Sequence, residues 1–135
     1  MKKFTTILTA LVLLLLVGAC SNDPIDQKLN EAADCILDDN HEKAQRICDN
    51  LVKYDYSQMS LEQKCDLAVL YACIFTELGT DDAGYKFVAV FDDTMESPQA
   101  ARKYYKNTCG DDFYEGMSVT RDLVEMGLEI DSWNW

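Results

Sequence analysis

Nine consecutive residues, Leu67-Ala68-Val69-Leu70-Tyr71-Ala72-Cys73-Ile74-Phe75, carry no charge. As a helix, this run is apolar nearly all round, and such a helix has to be covered on several sides. A buried strand would also fit so short a run, as it would Phe87-Val88-Ala89-Val90-Phe91. Length, capping and the lack of two-residue hairpin turns favour helix. Ser60 and Gln63 stand at capping-box spacing just ahead of the run, so a helix over 61–78 is predicted as the centre of an all-α fold.

The remaining punctuation marks further helix starts. Asp23-Pro24 and Ser97-Pro98 each place a capping side chain before a proline at the first helical position. Asp39 with Glu42 and Asp112 with Glu115 repeat the capping-box spacing, and Thr80 precedes the acidic pair Asp81-Asp82. The implied helices run over 24–38, 40–53, 61–78, 81–95, 98–107 and 112–130. The last should place Phe113, Met117, Val124 and Leu128 on one side. Six helices with short connections suggest three antiparallel hairpins in one domain, 24–135, because the chain is too short for two comfortable cores.

The starts at Pro24, Leu61 and Pro98 are each 37 residues apart, which invites a search for repeats. Ala32, Cys35, Ala44, Cys48 and Leu51 share their spacing with Ala72, Phe75, Gly84, Val88 and Phe91. Small residues at such positions let paired helices approach closely. The pattern resembles the tetratricopeptide repeat, whose paired helices also carry small residues 12 apart, as in Ala32 with Ala44 and Ala72 with Gly84. The early Trp, the glycine of the first helix and the closing proline of that family are missing. An irregular helical bundle is the alternative architecture. The resemblance implies a concave face lined by the inner helices and suited to a peptide or protein segment.

The N-terminus has a different logic. Met1-Lys2-Lys3 is basic, an apolar run centred on 11–17 follows, and the run ends in small residues, as a signal peptide does. Val17-Gly18-Ala19-Cys20 resembles the bacterial lipobox. That resemblance implies cleavage of residues 1–19, a diacylglycerol on Cys20 and a short tether over 20–23. Two or three acyl chains give a durable anchor, because each buried methylene contributes about 0.8 kcal/mol. Ser21, and not Asp, follows the cysteine, which resembles outer-membrane lipoproteins facing the periplasm or the cell surface.

Charge narrows the partners. Without Lys2 and Lys3 the chain keeps 10 basic and 24 acidic residues, a formal −14. Nucleic acid and anionic head groups are repelled by that field, leaving the lipid as the route to a membrane. Five cysteines remain beyond Cys20: Cys35, Cys48, Cys65, Cys73 and Cys109. None forms a C-x-x-C, and Cys65 and Cys73 on one helix would lie about 12 Å apart, beyond disulfide reach. Small buried hydrophobes are the expected role, with a Cys35–Cys48 bridge as an option.

No catalytic constellation stands out. His41 is the single histidine and sits at a helical turn, where a solvated polar residue is ordinary. Neither a calcium-loop spacing nor a phosphate loop occurs, so no metal or other cofactor is expected. The acidic doublets Asp38-Asp39, Asp81-Asp82, Asp92-Asp93 and Asp111-Asp112 suit helix ends and turns. Tyrosines give large contact area with a polar tip, and Tyr71, Tyr104 and Tyr105 on the inner helices are the candidate binding residues. Trp133 and Trp135 should dock on the domain or on a partner. The expected function is a non-enzymatic, envelope-tethered module that binds a protein or peptide. The alternative is a small acidic inhibitor or immunity-like lipoprotein that blocks a basic enzyme.

Overall fold

The computed structural model describes residues 22–133, without the side chains of Phe113 and of residues 128–133. The leader, Cys20 and Trp135 lie outside that range, as do the side chains of Leu128 and Trp133. Six α-helices follow in chain order: α1 Pro24–Leu37, α2 His41–Asn50, α3 Leu61–Leu78, α4 Asp81–Thr94, α5 Pro98–Cys109 and α6 Asp111–Trp133. No strand occurs among the described residues, and none of their helices is long and apolar enough to cross a membrane.

Capping explains most boundaries. Asp23 Oδ1 accepts from the Ile25 amide at 2.9 Å, with Pro24 opening α1. Ser60 and Gln63 close a reciprocal box at the start of α3, at 2.9 and 3.1 Å. Thr80 caps α4 through the Ala83 amide. Gly79 ends α3 in the left-handed region at φ 65°, its amide bonded to the Phe75 carbonyl at 2.8 Å.

Three starts differ from expectation. Asn40, and not Asp39, caps α2, accepting from the Lys43 amide at 3.3 Å. Asp39 is occupied with ending α1. It is left-handed at φ 62°, while the Asn40 amide reaches back to the Cys35 carbonyl at 2.7 Å. That is the six-to-one bond of a Schellman ending, with Asp in glycine's usual place. Ser97 makes no side-chain cap, so Pro98 starts α5 through its fixed φ alone. Asp112 lies inside α6, which begins at Asp111 just after Gly110. The second helix also changes character. After Asn50 the chain continues as a π-type turn over Leu51–Asp55 and a 3₁₀ turn over Tyr56–Gln58.

The helices pair in sequence: α1 on α2, α3 on α4, α5 on α6. Neighbouring hairpins join through α1 on α3, α2 on α3, α3 on α5 and α4 on α6. Helix α3 thus touches four others, as its all-round apolar surface requires. Leu67, Leu70, Tyr71 and Ile74 are fully buried in it. A row of rings extends the core outward: Phe87 to Phe91 at 5.9 Å, Phe91 to Tyr105 at 5.6 Å and Tyr105 to Tyr114 at 5.9 Å. Cys35, Cys48, Cys65 and Cys73 are buried and Cys109 half-buried, and no disulfide joins any two of them. Cys35 and Cys48 form no bridge. Burial pushes Cys65 and Cys109 up to about 12, and Cys48 and Cys73 higher still. Such thiols are poor nucleophiles.

Candidate binding cleft

A cleft of about 520 Å³ opens where the N-terminal halves of α1 and α3 meet α5. Its apolar floor comes from Leu29, Met59 and Leu70, and its walls from Asp23, Asp26, Glu62, Asp66 and Tyr104. Glu62, Asp66 and Leu70 succeed one another at four-residue steps, which puts them on one stripe of α3. No lysine or arginine is among the described residues that line the cleft. Nearby cations are engaged elsewhere: Lys28 with Asp55 at 3.0 Å, Lys64 with Asp93 at 3.3 Å.

Hydrogen bonds fix the walls. Gln63 donates through Nε2 to Asp23 at 3.0 Å and to Asp26 at 2.9 Å, tying α3 to α1. Tyr104 donates to Asp66 Oδ1 at 2.7 Å, tying α5 to α3. Burial raises the Asp66 carboxyl to about 7, with the Tyr104 hydrogen bond opposing and the charges of Asp26 and Glu62 adding to the rise. The described wall of the cleft is therefore acidic, and Glu62 and Asp66 repel along their own helix. An arrangement of this sign favours a positively charged ligand.

Of the three tyrosines singled out by sequence, only Tyr104 lines the cleft. Tyr71 is fully buried and donates to Asp49 at 2.7 Å. Asp49 also pairs with Lys86 at 2.9 Å, and Lys86 with Asp82 at 3.1 Å. The Tyr71 phenol thus anchors a polar network joining α2, α3 and α4. Tyr105 is fully buried between rings, with its hydroxyl 3.0 Å from Thr94 Oγ1. Neither ring can meet a ligand in this structure, because packing and a hydrogen-bond partner consume each one.

Sequence reasoning overlooked Asp26, Glu62 and Asp66. It looked for carboxylates as adjacent doublets, whereas the acids that converge sit on separate helices. The four-residue step on α3 was the available signal. A second convergence was equally hidden. Asp39, His41 and Glu77 bring one ligand atom each within 4.8 Å of the others, at the far end of α1 and α3 from the cleft.

No protein-family model, curated protein or solved structure matches this chain.

Proposed function

We propose that the chain is a non-enzymatic lipoprotein, anchored in the cell envelope through Cys20, whose helical domain holds a basic, extended protein segment in the acidic cleft. The observation that carries the reading is the cleft wall itself: Asp23, Asp26, Glu62 and Asp66 beside Tyr104, with no cation among the described lining residues. A lysine or arginine side chain entering it would meet several carboxylates at once. Its aliphatic stem would lie against Leu29 and Leu70, and its head would satisfy Asp66. The anchor rests on the lipobox resemblance, and the outer membrane is the compartment it suggests. Three stacked hairpins with a groove on the inner helices support the tetratricopeptide-like reading.

The test is fluorescence anisotropy with a labelled peptide of alternating Lys and Ala, and a Glu/Ala peptide as control. The Lys peptide should bind and the Glu peptide should not. Glu62→Gln with Asp66→Asn should weaken binding at least tenfold, since losing one charged hydrogen-bond partner costs about 1.5–3 kcal/mol. Equal binding of both peptides, or none, would rule out the cleft as a site for basic segments.

Charge over the whole surface, a formal −14 once the leader is cut, favours a second reading as an inhibitor of a basic enzyme. There the contact would spread over the surface, so the cleft substitutions would leave affinity nearly unchanged while added salt abolished it.

A further inference from the structure

The turn between α1 and α2 lies against the last turn of α3. There Asp39, His41 and Glu77 place an imidazole nitrogen and two carboxylate oxygens within 4.8 Å of one another. His41 Nδ1 stands 3.5 Å from Asp39 Oδ1. Two ligands of one tetrahedral zinc, each about 2.0–2.1 Å from the metal, are separated by roughly that distance. The His41 side chain is only 10 % exposed, whereas Asp39 and Glu77 stand at the surface. A nine-tenths-buried imidazole beside two exposed carboxylates combines a fixed nitrogen ligand with two oxygen ligands open to an incoming ion.

Electrostatics point the same way. Glu77 lies in the last turn of α3, and Asp39 follows the last turn of α1. Acids at helix C-termini oppose the helix dipole. Neither carboxylate is paired with a lysine or arginine among the described residues. Asp39 further accepts a left-handed backbone at φ 62°.

We infer that Asp39, His41 and Glu77 form a binding site for a divalent first-row transition-metal ion of the zinc class, which would clip the first hairpin to the second. One imidazole and two carboxylates suit borderline ions; calcium and magnesium prefer all-oxygen shells. Water would complete the coordination. The site is independent of the cleft, because no residue is shared.

The test is calorimetric titration of the full chain in detergent with zinc chloride, followed by cobalt(II) absorption. Wild type should bind one zinc ion, and millimolar calcium or magnesium should not compete. Cobalt should show weak ligand-field bands without the strong sulfur charge-transfer band that the thiols would produce. His41→Gln, Glu77→Gln and Asp39→Gly should each weaken zinc binding by at least about tenfold, the lower end of what even an outer-shell change costs a metal site. Asp39→Gly keeps the test clear of folding defects, since glycine relieves the left-handed backbone and should leave the metal-free chain at least as stable. Absent binding, an unchanged affinity in all three variants, or a sulfur charge-transfer band would each overturn the inference.

Discussion

Asp66 carries the clearest consequence of a single side chain's surroundings. Its folded-state carboxyl sits at about 7 against an ordinary 3.8, chiefly because burial penalises the charge. The folded chain therefore holds that proton more tightly than the unfolded chain between those values, and stability falls as pH rises through them. Asp66→Asn keeps an oxygen to accept from Tyr104 and removes the charge. Denaturant unfolding should find the variant more stable than wild type at pH 8 by about 2–4 kcal/mol. The gain should shrink to nearly nothing below pH 4. A pH-independent difference would mean that Asp66 is not the titrating group. The same proton limits the cleft, since a cationic ligand favours the ionised form, and affinity for a basic peptide should rise as pH passes through 7. Residue identity alone could not separate Tyr104 from Tyr71 and Tyr105. All three lie on inner helices, and only packing decides which ring is consumed by the core.

At the scale of helices, local chemistry was highly legible. Ser60 with Gln63, Thr80 before its acids and Asp23 before Pro24 act locally, so their starts follow from sequence. Asp39 was misread because the ending of α1 competes for the same residue as the start of α2. The two repeat offsets also find a physical account. Helix starts at Pro24, Leu61 and Pro98 recur every 37 residues, whereas the small residues recur at 40, because α3 is four residues longer than α1 and the turn after it one residue shorter. The three-residue difference between offsets is close to one helical turn, so both alignments keep the same face inward. Ala32 and Ala72 are 0 and 2 % exposed. Ala32→Leu and Ala72→Leu should each cost about 1–3 kcal/mol in chemical denaturation. Asp81→Lys, on an exposed first turn of α4, should change stability by a few tenths to about 1 kcal/mol. Gly84 adds a detail no spacing revealed. A methyl group there would meet the Phe75 ring at 3.0 Å and Val124 Cγ1 at 3.2 Å, so α3, α4 and α6 converge on it. Gly84→Leu should destabilise by about 1–3 kcal/mol. Gly84→Ala should be nearly neutral, since the half-buried Phe75 ring can yield and alanine favours the helix by about 0.5–1 kcal/mol. Wild-type midpoints for both alanine-to-leucine variants would remove the close-packed hairpin from the account.

For the molecule as a whole, three hairpins create what none has alone. The cleft needs the cap of α1, one stripe of α3 and a tyrosine of α5, so it exists only once the hairpins stack. Long-range convergence of that kind leaves no local pattern, which is why sequence reached the architecture but only Tyr104 of the wall. The proposed anchor belongs to the same scale. Cys20→Ser should abolish incorporation of labelled palmitate and leave unprocessed precursor, because the thiol is the acyl acceptor in the lipoprotein reading. Normal maturation of that variant would end the reading. The most direct test of the central claim, that a basic segment lies in the cleft, is an amide chemical-shift titration of the isotope-labelled chain with the Lys/Ala peptide. Shifts concentrated at Asp26, Glu62, Asp66 and Tyr104, and lost in Glu62→Gln with Asp66→Asn, are the expected result. Shifts scattered over the acidic surface, or none at those four residues, would contradict it.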